Sequence, residues 1–348
     1  AQAWLQQRCG LCNVLRSSRW RHTMTAPEEP VQQASALQTT LDLQQIAKCD
    51  IFTGNEEAVG RTRWGRVFGG QVLAQSLVAA CRTVPDSLRV HSLHGYFLLA
   101  GESGVEILFE VERVRDGRSF CTRVVKAVQR NHAIFSMTVS FHRPEWGPDF
   151  RTPGRELWAV VQSRGLRGGH LPSPEELLKR GVRPEVASGA DNQGDTETLL
   201  IDRGDWWSLR YYRHKGRLPD GPPGLHESIF AWCSDSTMAG IVCRPHQERQ
   251  GLQFPMVFSL DHSIHFHRPF RVDEWLLFHN RSTVSSGARG LARLEVFTLN
   301  GQLVATVTQE ALTRVPREVA ERELQKQHEA GSVQSGAIRS GATPASRL

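Results

Sequence analysis

One order of secondary-structure elements occurs twice along this chain, and that repetition constrains the fold more than any other feature of the sequence. A helical pattern of apolar and small residues over 68–81 precedes a run of strand patterns, and residues 206–314 contain a similar succession. Displacing the sequence by 170 residues superposes identical residues of the two halves: Gly70 falls on Gly240 and Arg123 on Arg293. These matches predict a duplicated α+β unit, in which an antiparallel sheet curls round a central helix.

The predicted strands alternate apolar and polar residues, and several are joined by hairpin turns. They are expected over 91–99, 105–115, 118–129 and 133–143 in the first half, and over 206–213, 257–267, 275–282, 288–299 and 302–314 in the second. Asp116-Gly117 and Asn300-Gly301 have the composition of two-residue hairpin turns. A second central helix is predicted over 230–242, where apolar and small residues are again concentrated.

The same order divides the chain into five segments. They are a leader over 1–27, a first repeat over 28–148, a linker rich in Gly, Pro, Ser and Arg over 149–205, a second repeat over 206–315, and a charged helix with a tail of small residues over 316–348. At the start of the first repeat, we expect residues 28–48 to form a helix with Leu37, Leu41 and Ile46 facing inward.

The positive charge of the chain is carried by its ends. The formal net charge is +6, but residues 1–27 hold four arginines and no acid, and residues 314–348 hold six basic and four acidic residues. The rest of the chain, 28–313, has almost no net charge. An excess of basic residues is what nucleic-acid binding requires, so no nucleic-acid partner is expected. The sequence contains no run of about 18 apolar residues, so we expect no membrane span.

The cysteines favour a reducing compartment over a disulfide framework. There are seven of them, an odd number scattered along a long chain. Cys9 and Cys12 form a C-x-x-C pair, but no second pair follows at the spacing of a zinc site. We therefore expect no metal site from the cysteines.

The two ends of the chain carry competing targeting signals. The last three residues, Ser346-Arg347-Leu348, are a small–basic–Leu variant of the Ser-Lys-Leu peroxisomal address, and the Gly-, Ser- and Ala-rich run before them would present it to an import receptor. Residues 1–27 have the Arg-rich, acid-free composition of a mitochondrial presequence, although Met24 is an alternative start. We expect delivery to the peroxisome, with the mitochondrion as the alternative.

Residues 254–268 concentrate polar side chains on one predicted strand. Two sets alternate along it: Ser259, Asp261, Ser263, His265 and His267 form one, and Leu260, His262, Ile264 and Phe266 form the other. The alternation predicts that the second set faces the core and the first faces away from it. The first set is either an ordinary solvated face or, in part, a site of chemistry.

Three polar residues on three different elements could meet where a helix joins the sheet. Asp235 follows Ser234 in the second predicted helix, Ser259 lies on the polar strand, and Gln309 lies near the end of the last strand. A carboxylate can take a proton from water, while a hydroxyl and an amide can hold that water in place. An Asp after a Ser is also a common helix cap, so the residue types alone leave both interpretations open.

Gly69 and Gly70 stand at the start of the first central helix. Without side chains, they would let a ligand or another backbone approach the free N–H groups there, which carry partial positive charge. They are therefore candidate substrate-binding residues, and tight packing of the helix is the alternative explanation.

The sequence closely resembles the acyl-coenzyme A thioesterase II family, and within it the peroxisomal acyl-coenzyme A thioesterases. The stretches that carry the resemblance lie in both halves: Val67-Phe-Gly-Gly-Gln-Val-Leu-Ala-Gln75, His91-Ser-Leu-His-Gly-Tyr-Phe97, Arg115-Asp-Gly-Arg-Ser-Phe120, Ser234-Asp235, Ser259-Leu-Asp-His-Ser-Ile-His-Phe-His267, Asp273-Glu-Trp-Leu-Leu277, Ala288-Arg-Gly-Leu291 and Gln309-Glu310. Together they cover about 60–145 and 205–315.

The resemblance implies a hotdog fold in each half, a double hotdog, and hydrolysis of acyl-CoA to free acid and CoA. It also implies that Asp235, Ser259 and Gln309 are the residues that activate water. Because thioesters are already activated acyl donors, no metal or organic cofactor is expected. Leu294 and Ala311 depart from the family pattern, where Gly is usual, and we expect them to influence acyl-chain preference.

Two other chemistries compete with this interpretation. A serine hydrolase that used Ser259 with His262 would need a nucleophile elbow, and strand parity places these two side chains on opposite faces. A metal site built from Asp261, His265 and His267 would crowd three ligands on one strand.

Two further alternatives keep the acyl-CoA ligand. A hotdog hydratase would be expected to pair an acid with a catalytic His, and the segment 230–242 offers Asp235 without a His. A non-catalytic acyl-CoA carrier would have no use for residues that position water. The sequence leaves the oligomeric state open, a homo-oligomer included.

Overall fold

The computed structural model describes residues 35–46, 49–54, 65–150, 171–179, 185–186 and 195–325. These residues form two antiparallel half-sheets, each wrapped round one helix. The helices are α1 (Ala36–Leu41), α2 (Gly69–Cys81), α3 (Pro174–Lys179), α4 (Leu225–Ile241) and α5 (Arg244–Gln250), and residues 317–325 are also helical. The α+β class and the repeated plan of the sequence are thereby confirmed.

The strands of the first half are β1 (Gln44–Gln45), β2 (Ile51–Thr53), β3 (Arg89–Phe97), β4 (Leu108–Asp116), β5 (Phe120–Gln129) and β6 (His132–His142). Those of the second half are β7 (Glu185–Val186), β8 (Thr196–Arg203), β9 (Trp207–His214), β10 (Met256–Ser259), β11 (Asp261–Phe266), β12 (Leu276–Ser286), β13 (Arg289–Thr298) and β14 (Leu303–Arg314). All nine predicted strands are present, and the one predicted over 257–267 is divided into β10 and β11. Both predicted hairpin turns form, with bonds from the N–H of Gly117 to Phe120 O (3.0 Å) and from that of Gly301 to Thr298 O (2.8 Å).

One continuous sheet joins the two halves. Its strand order is β1-β2-β4-β5-β6-β3-β11-β14-β13-β12-β9-β8-β7, with β10 also paired to β14. The two halves meet where β3 and β11 pair antiparallel, with His262 opposite Gly95 and Ile264 opposite Leu93. Backbone hydrogen bonds therefore hold the halves together along a full strand.

Helices α2 and α4 lie side by side inside the sheet and contact each other directly. The apolar and small residues that recur at helical spacing in α2 are all buried, namely Val72, Leu73, Ser76, Leu77 and Ala80. A helix buried on most of its sides consists mainly of apolar and small residues, which explains the composition of this segment, and it buries Gln71 and Gln75 as well. A single apolar core includes residues of both helices and both half-sheets.

The first helix is shorter than the sequence predicted. Helix α1 begins after Ser35, whose hydroxyl accepts from the N–H of Gln38 (3.2 Å), and Gln38 Oε1 accepts from the N–H of Ser35 (2.8 Å). Leu37 and Leu41 are buried as predicted. The prediction was wrong for Ile46, because the chain leaves the helix at Asp42 and pairs as strand β1. Residues 28–34 lie outside the described residues.

The segment predicted as a linker, 149–205, contributes to the C-terminal half. Strand β8 lies within it and pairs with β9, and helix α3 forms over Pro174–Lys179. Leu171 and Leu177 are buried against the outer face of the C-terminal sheet, beside Tyr211 and Trp275. That face is apolar and has to be covered. Leu171 and Leu177 therefore pack against the sheet, and this part of the chain is more than a connection between the two halves.

The two halves have the same strand order, but their residues do not superpose one by one as the displacement of 170 residues predicted. Gly70 lies at the start of α2, whereas Gly240 lies at the end of α4. Arg123 is fully buried, whereas Arg293 is exposed. A displacement of 170 residues aligns the hairpins of the two halves but not the helices. The reason is that α4 lies further from the hairpins of its half along the sequence than α2 does.

None of the helices within the described ranges is long and apolar enough to cross a lipid bilayer.

Arg123 is the most buried cation of the N-terminal half. Its guanidinium donates to Thr83 O (2.9 Å), Thr83 Oγ1 (2.8 Å), Arg115 O (3.0 Å) and the carboxylate of Asp116. The hydrogen bond with Arg123 holds the pKa of Asp116 below its usual value. One side chain thus ties the end of α2 to the β4–β5 hairpin.

We predict that Arg123→Leu lowers the free energy of unfolding by about 3 kcal/mol, because buried carbonyl acceptors lose their donors. Urea denaturation followed by circular dichroism measures the change. Arg249→Leu is the matched control, since Arg249 forms only an exposed ion pair with Asp205 and its loss costs about 1 kcal/mol or less. Equal shifts in the two variants would contradict the role of Arg123.

Candidate active site

Asp235 lies in the middle of helix α4, on the face of that helix that packs against α2. Its residue is only 6% exposed. A carboxylate at this depth needs hydrogen-bond donors to remain ionised, so the atoms around it determine what it can do. Two such donors come from the sheet.

Ser259 reaches Asp235 because of an irregularity between β10 and β11. Ser259 pairs with Ala311 on β14, and Ser263 pairs with Thr308. Four steps along one strand therefore oppose three along the other, which is a one-residue β-bulge. The hydroxyl of Ser259 consequently turns inward and donates to Asp235 Oδ1 at 3.2 Å.

Gln309 connects the other two residues. Its amide, fully buried on β14, donates from Nε2 to Asp235 Oδ1 at 2.8 Å and to Ser259 Oγ. The three residues that the sequence singled out therefore form one hydrogen-bonded cluster. Both donors converge on the same oxygen, Oδ1.

The second carboxylate oxygen faces the start of helix α2. A methyl group placed on Gly69 would lie 2.9 Å from Asp235 Oδ2 and 2.9 Å from the ring of Phe97. Within the described part of the chain, Oδ2 has no hydrogen-bond partner. Helix α2 is 13 residues long, and the first N–H groups of a helix lack acceptors within it. The positive end of α2, from the first half, thus meets the carboxylate of the second half.

Gly70 serves the packing of the two helices. A methyl group there would lie 2.5 Å from the carbonyl oxygen of Trp232 on α4, and equally close to the ring of Phe68. The rings of Phe68 and Trp232 themselves meet edge to face, with centroids 5.6 Å apart. The packing explanation therefore holds for Gly70, while Gly69 lies beside the carboxylate and its binding of substrate stays a prediction.

His262 belongs to the cluster, which the sequence did not indicate. Its Nδ1 lies 3.2 Å from Gln309 Oε1 and 3.9 Å from Asp235 Oδ1, and its Nε2 lies 2.9 Å from Ser234 Oγ. The residue is fully buried. Burial lowers the pKa of this imidazole, and the nearby carboxylate of Asp235 only partly opposes the effect.

The bulge also corrects the parity argument made from the sequence. An uninterrupted strand would place Ser259 and His262 on opposite faces. The extra residue rotates Ser259 to the inner face, where both side chains contact Gln309. His262 was identified correctly as a core-facing residue, but its polar contacts come from other elements and leave no mark on the local pattern.

Family models match both halves of the chain. A model described as acyl-CoA thioesterase N-terminal domain matches residues 60–142, and one described as acyl-CoA thioesterase matches residues 199–312. Human acyl-coenzyme A thioesterase 8 is 33% identical over 296 residues, which cover 82% of this chain and 91% of that protein. The chain belongs to the acyl-CoA thioesterase II family.

Two further relatives extend the comparison. The peroxisomal acyl-coenzyme A thioester hydrolase 1 of Saccharomyces cerevisiae is 38% identical over 302 aligned positions, covering 70% of this chain and 84% of that protein. The crystal structure of the acyl-CoA thioesterase II TesB2 from Mycobacterium marinum is 34% identical, with a TM-score of 0.64, and covers 81% of this chain and 98% of that one. Each half of this acyl-CoA thioesterase is a hotdog fold, as the resemblance implied.

The chain is therefore an acyl-CoA thioesterase, rather than the carrier or the hydratase weighed from its sequence. Its substrate class, acyl-CoA, is the one expected. The targeting residues Ser346, Arg347 and Leu348 and the leader 1–27 lie outside the described residues.

Two polar side chains, Asp261 at the start of β11 and His267 just after its end, have partners outside the cluster in this thioesterase. Asp261 Oδ1 accepts from the N–H of Glu310 (2.7 Å), and Asp261 Oδ2 lies 3.0 Å from His94 Nε2. His267 Nε2 lies 2.7 Å from Thr306 Oγ1. Among the residues with described positions, no group of three His, Cys, Asp or Glu side chains is arranged to hold a metal ion.

The two departures from the family pattern lie at different distances from the cluster along the sheet. Ala311 pairs with Ser259 itself and is buried. Leu294, also buried, pairs with Val307, two residues along β14 from Gln309. Their effect on acyl-chain preference stays a prediction.

We predict that Gly69→Ala lowers kcat/KM about 10- to 100-fold, because the added methyl group displaces either the Asp235 carboxylate or the Phe97 ring. Release of free thiol from acyl-CoA measures the rate. Gly240→Ala is the matched control in the exposed end of α4, where an added methyl group meets nothing within 4 Å. This control should keep full activity and gain up to about 1 kcal/mol of stability. Unchanged activity in Gly69→Ala would contradict the placement of the substrate at this helix end.

Proposed function

We propose that this thioesterase hydrolyses acyl-CoA by direct attack of a water molecule that Asp235 deprotonates. The observation that carries the proposal is the unequal environment of the two carboxylate oxygens. Oδ1 accepts hydrogen bonds from Ser259 and Gln309, whereas Oδ2 faces the glycine at the start of α2. The first oxygen fixes the orientation of the carboxylate, and the second is available to a water molecule.

The reaction balances with this one base. The water oxygen bonds to the thioester carbon as its proton passes to Asp235 Oδ2. The C–S bond then breaks, and the departing CoA sulfur takes the proton back from Asp235. The products are the fatty acid, which ionises in solution, and CoA thiol.

The N–H groups of Gly69 and Gly70 are the proposed donors to the carbonyl oxygen of the thioester. They lie at the positive end of α2, the helix end at which Gly69 faces Asp235 Oδ2. Donors of this kind stabilise the negative charge that develops on the oxygen as water attacks. In this arrangement the first half supplies the donors and the second half supplies the base.

Ser259 and Gln309 are proposed to orient the base and the water, without covalent chemistry at Ser259. The Ser259 hydroxyl donates to Asp235 and accepts from the Gln309 amide, so its hydrogen and one of its lone pairs are both engaged. Water is proposed as the nucleophile because the oxygen that Ser259 contacts, Oδ1, already accepts from Gln309, whereas Oδ2 is left to a water molecule.

We predict that Asp235→Asn lowers kcat about 10²- to 10⁴-fold, because the amide cannot accept the proton of water. Gln309→Ala and Ser259→Ala should lose less, since water can replace part of an orienting group, and Ser259→Thr should retain most activity. Asp261→Asn is the matched control: the residue lies two positions from Ser259, and its amide oxygen can still accept from Glu310. Thiol release from acyl-CoA measures all five variants.

The same preparations distinguish direct attack from an acyl-enzyme. The wild-type protein is quenched during turnover and analysed by mass spectrometry. Unmodified protein is expected throughout. An acyl adduct on Ser259, or an Asp235→Asn variant as active as Asp261→Asn, would overturn the proposed mechanism.

We also propose that the protein is delivered to peroxisomes through its C-terminal residues, read by the import receptor. Two observations support this: Ser346-Arg347-Leu348 matches the peroxisomal address, and the yeast relative is named as a peroxisomal enzyme.

For a fluorescent fusion at the N-terminus, we predict that the chain co-localises with a peroxisomal marker and that removal of the last three residues leaves it diffuse. A fusion at the C-terminus, which leaves residues 1–27 free and blocks the tail, tests the mitochondrial alternative. Mitochondrial location of that fusion, or peroxisomal location of the truncated chain, would contradict the proposal.

A further inference from the structure

The arrangement of Asp235, Ser259 and Gln309 depends on which way the Gln309 amide is turned. Its Nε2 faces Asp235 Oδ1 and Ser259 Oγ, and its Oε1 faces His262 Nδ1 at 3.2 Å. Rotating the amide by a half-turn would exchange the two atoms and point Oε1 at the carboxylate. Two acceptors would then face each other in a buried site, and the carboxylate would lose its strongest donor.

Only one protonation state of a neutral His262 is compatible with this amide orientation. Gln309 Oε1 can only accept, so Nδ1 of His262 has to carry the proton. Nε2 is then an acceptor, and the hydroxyl of Ser234, 2.9 Å away, is in place to donate to it. With the proton on Nε2 instead, Nδ1 would face Oε1 as a second acceptor, and the turned amide would become the better arrangement.

Ser234 has a second acceptor within reach, the carbonyl oxygen of Ala231 at 2.9 Å. A hydroxyl carries one hydrogen, so it serves either this carbonyl or His262 Nε2. The carbonyl lies within helix α4, where an i→i−4 hydrogen bond already satisfies it, whereas His262 Nε2 is buried and has no other partner among the residues that the structure describes. The donation to His262 is therefore the one that satisfies every buried group.

We propose that His262 is a positioning residue for thioester hydrolysis: held by Ser234, it presents Nδ1–H to Gln309 and so fixes the amide that orients Asp235 and Ser259. The contacts form a closed circuit that leaves helix α4 at Ser234, crosses to β11 and β14, and returns to α4 at Asp235. His262 does not touch the reacting atoms. The inference rests on the role proposed above for Asp235 and Gln309.

Two polar substitutions distinguish the contribution of Nδ1 from that of Nε2. In His262→Asn, the side-chain amide can place an N–H near the position of Nδ1, whereas in His262→Gln it reaches only toward Nε2. His262→Leu removes both contacts. His267→Asn is the matched control, because the residue follows the same strand but points outward to Thr306.

We predict that His262→Leu and His262→Gln lower kcat about 10- to 100-fold with little change in KM, because the substrate still binds while the base is misaligned. The kcat of His262→Asn should stay within about fivefold of the wild-type value. The kcat of His267→Asn should equal the wild-type value. Ser234→Ala should reduce kcat in the wild-type background but add nothing to His262→Asn, whose donor no longer depends on the tautomer. Thiol release gives kcat and KM, and urea midpoints report stability for each variant.

The tautomer itself can be observed in the wild-type protein. In ¹⁵N-labelled protein, the ring signals of His262 are assigned by their absence from His262→Asn, and we expect a neutral ring with the proton on Nδ1. This measurement decides the proposal even where His262→Leu fails to fold. An Nε2–H tautomer, equal losses in the Asn and Gln variants, or losses confined to KM would overturn it.

The Asp235→Asn variant keeps this test distinct from the proposed mechanism. If Asp235→Asn retains full activity, the mechanism itself fails. If Asp235→Asn is inactive while all His262 variants are unimpaired, only the positioning role of His262 fails.

Discussion

The close approach of helices α2 and α4 is the constraint on which the site depends. A methyl group on Gly70 would lie 2.5 Å from the carbonyl oxygen of Trp232, and one on Gly69 would lie 2.9 Å from the carboxylate of Asp235, so neither position has room for a side chain. The positive end of one helix is therefore held against a buried negative charge on the other, an attraction worth up to about 2 kcal/mol in partly buried geometry. The same two glycines set the distance between the helices, the burial of the base and its electrostatic surroundings.

The proposed base, Asp235, is a buried carboxylate that has to be stabilised and still be able to accept a proton. Here the two tasks are divided between its oxygens. The donors from Ser259 and Gln309 converge on Oδ1, which offsets much of the cost of removing the charge from water. Oδ2 meets a helix end instead of a side-chain donor, so it keeps a lone pair for chemistry. Further donors on Oδ2 would stabilise the carboxylate more and make it a weaker base.

The sequence predicted the strands, both central helices and the proximity of Asp235, Ser259 and Gln309, because strand alternation and the family motifs are local signals. It did not predict the bulge before Asp261, since a one-residue shift arises from pairing with β14, about 50 residues away. The contacts of His262 depend on that same shift. The sequence also did not predict that residues 171–179 cover the outer face of the C-terminal sheet. The need for such a cover is visible only at Leu209 and Tyr211, whose apolar side chains occupy the outer face of β9.

The pairing of β3 with β11 makes the two halves unequal partners in one catalytic unit. Helix α2 carries glutamines and no acid, whereas its counterpart α4 carries Asp235. Among the described residues, only the start of α2 therefore meets a carboxylate from the other central helix, and the duplicated architecture does not duplicate the proposed site. In the proposed mechanism, each polypeptide therefore binds one thioester, and its first half acts as a covalently attached partner of the second half.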